Sequence, residues 1–600
     1  MPESKGTVKR EEIDDKYKWK LEDLFASDKE WEKACKDLEM QCKKLVSYKG
    51  QLATNADNLL QFLKACDEAE CLFERILVYS NEKMHQDMTV AKYQGYAAVA
   101  QNLEAQIMEA EAFLEPEVIA MDEGTVNRFY EEKEDLGNYR LLINRILKKK
   151  EHTLSAAEEA ILAKASEITS AAQDIFMMFN NADLEFGEIT DEAGNLVKLT
   201  HGRYIKLMES DDRDVRKNTF QTYYKEYIEH RNMLATTYLS NMKAAKFYAD
   251  AKKYESTLQM ELASSEIPVS VYDNLIEAVH EFLPVMYRYV ALRKKVLGVE
   301  ELHMYDIYAK LAKGYHLQVP YEEAKELVKT ALAPMGEEYI AILKEGFEQK
   351  WIDVYENEGK RSGAYSWGAY GTHPYVLLNY NDSLNDVFTL AHEMGHAIHT
   401  YYSAKNQPYT YANYRIFVAE VASTCNESLL IQHLLKNCED DLQKIYLLNY
   451  FIDQFKGTIF RQTMFAEFEK ITHEMYANKE AVTADGLCEV YMKLNQLYFG
   501  EGVISDEEIG MEWARIPHFY NQFYVYQYAT GFSAAIALSN KILNEGEKAV
   551  ENYIGFLKGG SSMTPIELLQ KAGVDLSSKQ PIKEALMLFE DLVKQLEQLL

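Results

Sequence analysis

The stretch "DVFTLAHEMGHAIHT", Asp386 to Thr400, places two histidines four residues apart with a glutamate directly after the first: His392, Glu393 and His396. An α-helix turns about 100° per residue, so positions i and i+4 share a face and two imidazoles there can reach one point. Glu393 lies about 100° round from His392, beside a shared metal rather than on it, where a carboxylate can hold and deprotonate water. The flanks favour a helix. Ser383 and Asn385 offer N-caps, and Val387, Leu390, Ala391, Met394 and Ile398 supply an apolar stripe. Gly395 costs about 1 kcal/mol against alanine in a helix interior, which predicts that something packs close to it.

An HExxH string arises by chance in roughly a few per cent of chains with this histidine content, so context decides. The chain carries its own control: "HEMYA" at 473 begins the same way and lacks the second histidine. His473 therefore reads as a surface histidine, and His399 as a core or supporting one. A catalytic zinc needs a third protein ligand and leaves one position for water. The next helical pattern, "FVAEVASTCNESLLIQHLL", puts Glu420, Thr424 and Glu427 on one face. Glu420 sits inside an apolar run, where a carboxylate is costly unless paired or coordinated. It is the expected third ligand, and Glu427 the expected partner of a histidine N–H.

Six hundred residues with 47% apolar side chains can bury several cores or one large fold around a cleft. With 65 Lys and Arg against 95 Asp and Glu, the net charge of −30 argues against nucleic acid as a partner. Seven scattered cysteines without a CxxC pair fit free thiols in a reducing compartment. The N-terminus lacks the apolar core of a signal peptide, and the run "FSAAIAL" (532–538) is far shorter than the about 20 residues a membrane span requires. A cytoplasmic protein without a membrane partner is expected.

Only 11 prolines and 28 glycines punctuate the chain, which favours a mainly α fold. An N-terminal extension (1–20) precedes a helical domain (21–200) that ends in a hairpin around "DEAGN". A catalytic domain (201–600) follows, its helices broken at "EIPVS" and "GYHLQVP". The segment "GAYSWGAYGTHPYVLLNYN" (363–381) reads as extended structure, a small β element beside the motif helix. A peptide could add to such an edge through main-chain hydrogen bonds. Gly363 would let the backbones approach, and His373 would reach a peptide carbonyl.

HEMGH, followed 24 residues after its second histidine by the glutamate of "FVAEVASTCNE", resembles the oligoendopeptidase F branch of the thimet oligopeptidase family. "LTHGRY" (199–204), the 363–381 segment and "RIPHFYNQFYVYQYATGFSAA" (515–535) look like segments of that branch, and the likeness spans roughly residues 20–590. The resemblance implies a large helical bowl or clam-shaped shell around a deep channel, and a zinc endopeptidase acting on oligopeptides. It implies one zinc ion per chain on His392, His396 and Glu420, with Glu393 as general base. It also implies that His518 and Tyr526 approach the substrate carbonyl. Phe523 stands where the wider family often has a tyrosine, so Tyr524 or Tyr520 would supply the second phenol. Two other readings stay open: a related zinc exopeptidase, and a non-catalytic helical peptide-binding protein. Oligomeric state, monomer or dimer, is open as well.

Overall fold

The computed structural model describes residues 8–312 and 317–600. The first seven residues of the N-terminal extension, and the start of the "GYHLQVP" break, lie outside the described residues. The fold is mainly α, and two small sheets interrupt the helices. One is the hairpin expected from the sequence: β1 (Glu188–Thr190) pairs antiparallel with β2 (Leu196–Lys198). Its turn is fixed by Asp191, whose carboxylate accepts the N–H groups of Ala193 and Asn195, and by Gly194 at φ 81°. The other sheet has three strands in the order β3 (Ile352–Asp353), β5 (Tyr375–Leu377), β4 (Tyr365–Trp367). β5 runs parallel to β3 and antiparallel to β4, which leaves β4 at an edge.

The chain packs as two compact units, each assembled from three separated stretches. A linear cut near residue 200 and this partition by packing are different divisions. The unit of residues 1–151, 317–430 and 539–564 starts with helices Asp28–Val46, Ala56–Gln86 and Ala91–Glu111. Asn55 opens the second of these by accepting the N–H of Asn58. Its Leu59, Phe62, Leu63 and Ile76 are buried, each contributing about 1.5–3 kcal/mol. Trp31 stacks on Tyr96 at 4.0 Å and donates its indole N–H to the Ile76 carbonyl at 3.0 Å. The three-stranded sheet belongs to this unit.

The unit of residues 152–316, 431–538 and 565–600 contains the hairpin and the long helix Val269–Leu297. That helix begins after Pro268, inside the expected "EIPVS" break, and ends on Gly298 in the left-handed conformation, φ 66°. It packs with helices Asp441–Phe455 and Gln580–Leu599, whose Phe455 and Phe589 rings lie 5.6 Å apart. Here one expectation is corrected. His473 is not at the surface: it is 5% exposed, with Nδ1 3.1 Å from Thr257 Oγ1. Its helix, Arg461–Ala477, buries residues on several sides, so the lack of a second ligand next to His473 did not mean exposure.

Candidate metal centre

The motif helix runs from Leu384 to Asn406. Ser383 starts it with a capping box: its hydroxyl accepts the Asp386 N–H at 3.2 Å, and the Asp386 carboxylate accepts the Ser383 N–H at 3.0 Å. Asn385 lies within the first turn and is not the cap. From Leu390 to His399 every residue is buried except His392 and His396. The helix thus opens only along the stripe that the i, i+4 spacing defines. His399 faces inward and stacks on Tyr414 at 3.7 Å.

A second helix, Ile416–Asn437, crosses the first at Gly395. A Cβ there would stand 2.6 Å from Ser423 Cα and 2.9 Å from the Ala422 carbonyl oxygen, so only glycine allows this approach. The buried Asn426 adds a clamp. Its amide donates to the Ala391 carbonyl at 3.0 Å and accepts from the Tyr339 hydroxyl at 2.8 Å. Sequence reasoning missed Asn426. A polar residue in the apolar run "VASTCNESLL" was its only signal.

The crossing brings Glu420 Oε2 to 3.4 Å from His392 Nε2 and 3.6 Å from His396 Nε2. One ligand atom from each of the three residues lies within 4.8 Å of the others. The Glu420 side chain is 42% exposed, so it is not the buried carboxylate expected from its neighbours. Phe417, Val418 and Val421 turn inward on the same helix, while Glu420 shares the open side with the histidines. Glu427 Oε1 meets His392 Nδ1, which fixes the ring as the Nδ1–H tautomer and frees Nε2 for ligation.

The electrostatics fit a cation. Burial opposes charge on His392, but hydrogen bonds to Glu420 and Glu427 outweigh it and push its pKa up to about 10. Burial also opposes charge on Glu420, yet the two histidines hold its carboxyl well below the usual range. A carboxylate facing two imidazoles is balanced either by protons on the rings or by a metal ion, and two imidazoles with one carboxylate are a zinc-type donor set. Glu393 is 6% exposed, and its Oε2 has no hydrogen-bond partner among the described residues. Burial, the largest cause, raises its pKa, and the two histidines pull the other way.

The remaining expected site residues divide. In the second unit, His518 stacks with Tyr524 at 6.0 Å, and its Nε2 is 3.3 Å from the Tyr528 hydroxyl. Tyr526 is buried with its ring 5.1 Å from Tyr272. Tyr520 is buried and stacks on Phe176 at 4.3 Å. Phe523 adopts φ 53°, donates its N–H to buried Glu469 at 2.9 Å, and lies against His473. In the first unit, Gly363 is at φ 85° with nothing within 4 Å of a built Cβ, so turn geometry explains the glycine. His373 is engaged at both ring nitrogens, by the Pro374 carbonyl at 2.8 Å and Asp23 at 3.3 Å, and it stacks on Trp351. These contacts tie its loop to Asp23 and Trp351.

A paired-histidine helix with a glutamate from a crossing helix defines a metallopeptidase-type centre. Comparison with known proteins narrows the class. Residues 206–588 match peptidase family M3, and residues 117–186 match the N-terminal model described as Oligopeptidase F. Oligopeptidase PepF of Bacillus subtilis is 48% identical over 591 residues, 98% of this chain and 88% of that protein. The plasmid oligoendopeptidase F of Lactococcus lactis subsp. cremoris is 41% identical, with 98% of each chain covered. The crystal structure of oligoendopeptidase-F from Enterococcus faecium superposes with a TM-score of 0.74 at 38% identity, covering 95% of this chain and 99% of that one. The chain belongs to peptidase family M3, in its oligoendopeptidase F branch. It is a zinc metalloendopeptidase that hydrolyses oligopeptides. Among the described residues no helix is long and apolar enough to cross a membrane.

Proposed function

We propose that His392, His396 and Glu420 hold one zinc ion per chain, and that Glu393 is the general base of peptide-bond hydrolysis. The observation that carries this reading is the three-residue cluster with Glu427 behind His392. When bound, such an ion polarises a carbonyl and lowers the pKa of water as a Lewis acid. Glu393, buried beside the histidines and with one oxygen unpartnered among the described residues, accepts the proton of the attacking water and passes it to the leaving nitrogen. Glu427 keeps the His392 ring in the ligating tautomer. His518 and Tyr526 donate to the oxyanion, and Tyr524 contacts the peptide; the family resemblance and the aromatic cluster around His518 support these roles. The peptide main chain pairs with the edge of β4, which tolerates many side chains. Seven free thiols and the acidic composition support a cytoplasmic enzyme, monomer or dimer, that takes oligopeptides as substrates and binds neither nucleic acid nor membrane.

The test is mass spectrometry of a mixture of peptides of about five to thirty residues, incubated with the enzyme with and without a zinc chelator. Internal cuts that vanish with chelator, and that stop above a limiting length, are expected. Single-residue trimming would move the reading to an exopeptidase. No cleavage by protein carrying one zinc per chain would leave a peptide-binding protein.

A further inference from the structure

The β4 edge is tied to the helix Ala56–Gln86 by a buried polar chain that the chemistry above does not use. Glu82 is fully buried, and its Oε1 has no hydrogen-bond partner among the described residues. The Tyr365 hydroxyl, at the head of β4, donates to Glu82 Oε2 at 2.5 Å and lies 2.6 Å from His85 Nδ1. Arg361 donates from Nη1 to His85 Nε2 at 2.9 Å, and from its backbone N–H to the His85 carbonyl at 3.0 Å.

Only one proton arrangement satisfies this chain. A guanidinium can only donate, so His85 Nε2 carries the lone pair. The ring is then neutral with its proton on Nδ1, and it donates to the Tyr365 oxygen. The single hydroxyl proton of Tyr365 is left for Glu82. The environment agrees: burial, with Arg361 adding to it, lowers the His85 pKa to about 4. The polarity of the chain is therefore fixed from Arg361 to Glu82, and Tyr365 has one orientation.

The strand it holds has an open edge of defined register. Val376 and Leu378 donate to the carbonyls of Trp351 and Asp353, so they face β3. Tyr375 and Leu377 then face β4, opposite Trp367 and Tyr365. By antiparallel alternation, the N–H and C=O of Ser366 turn to the outer edge. Beyond β4, a Cβ at Gly368 would stand 3.3 Å from Pro374 Cα and 3.4 Å from Thr400 Cγ2, so the strand lies alongside the motif helix. Before β4, the Asn379 amide holds the Gly363 carbonyl at 2.7 Å.

We propose that Glu82 and His85 are positioning residues for peptide binding: through Tyr365 they fix the register in which the Ser366 main-chain groups meet the substrate. This rests on the reading that the peptide pairs with β4. A buried acid, histidine and tyrosine are a costly way to fill space, because apolar residues of the same shape would pack at least as well. Such a network fixes one arrangement, which apolar packing does not.

The experiment compares the zinc-loaded enzyme with Tyr365→Phe, Glu82→Leu and Glu82→Gln on one internally quenched peptide, and on the same peptide N-methylated at each position in turn. Tyr365→Phe and Glu82→Leu are expected to raise KM about tenfold with kcat within about twofold and zinc content unchanged. Glu82→Gln keeps an acceptor for the Tyr365 hydroxyl and is expected to restore the wild-type KM. N-methylation at one or two positions is expected to raise KM sharply in the wild-type enzyme and less in Tyr365→Phe. An unchanged KM in the folded variants, beside a clear positional N-methyl effect, overturns the proposal and leaves strand pairing standing. The absence of any positional N-methyl effect overturns the strand reading and the proposal with it. A lowered Tm without a KM change would show a purely structural network and also overturns the proposal.

Discussion

The backbones of Gly395 and Ser423 lie flush against each other: a Cβ at position 395 would stand 2.6 Å from Ser423 Cα, where real Cβ contacts essentially never occur. This contact sets the distance between the histidine helix and the glutamate helix. Gly395→Ala would improve intrinsic helix propensity by about 1 kcal/mol but must push the helices apart against backbone that cannot yield. Overpacking of this kind costs about 1–3 kcal/mol. The expected result is a lower Tm and weaker zinc retention against a competing chelator. Wild-type zinc affinity in Gly395→Ala would mean that the crossing does not set the ligand geometry.

Glu427 touches His392 and not the other ligands, so its loss should weaken metal binding without abolishing it. Removing such a supporting carboxylate typically costs about 10–100-fold in metal affinity. Glu427→Ala is expected to fall in that range in a chelator competition. Glu427→Gln still offers an acceptor and should fall less. Equal affinity in all three proteins would show that the His392 tautomer needs no support.

How far the sequence foretold this site can be judged residue by residue. The HExxH stripe, the Ser383 cap, the hairpin at "DEAGN" and a close contact at Gly395 are all local consequences of helix and turn geometry, and they are legible. Glu420 was chosen for burial, yet it is open, because a neighbour in sequence is not a neighbour on a helix face. Asn426 and the engaged nitrogens of His373 depend on partners, Ala391 and Asp23, that periodicity does not reveal. The two packing units draw on three stretches each, and no linear composition shift marks where the chain leaves one and enters the other.

His473 supplies a pH prediction away from the metal site. Burial holds its pKa down at about 3 against an ordinary value of 6.5. The folded-state value is the lower one, so between about pH 6.5 and pH 3 the unfolded chain binds the extra proton. Stability tied to this residue is complete above the unfolded pKa and is lost as pH falls, by at most about 1.4 kcal/mol per pH unit. Glu469, one turn earlier and also buried, has its pKa raised by burial and acts in the opposite sense, losing stability as pH rises past the ordinary carboxylate value. His473→Gln removes the histidine contribution alone. Its Tm should fall less steeply than the wild-type Tm between pH 6.5 and pH 4.5, and parallel slopes would show that His473 does not titrate in the unfolding reaction.

The last prediction isolates the base from the metal. Glu393 lies on the buried side of the helix, adjacent to His392 but outside the ligand cluster, and its Oε2 makes no hydrogen bond within the described residues. Glu393→Gln keeps the size of the side chain and leaves His392, His396 and Glu420 in place, so zinc content should match the wild type. What it loses is a group that can accept a proton, and general-base catalysis is worth about 10²–10⁴ in rate. A fall of that size in kcat, with KM for a quenched peptide little changed, is expected. If Glu393→Gln lost zinc together with activity, the glutamate would be part of the metal cage. If it kept both, the proton would have to leave by another residue, and Glu393 would not be the base.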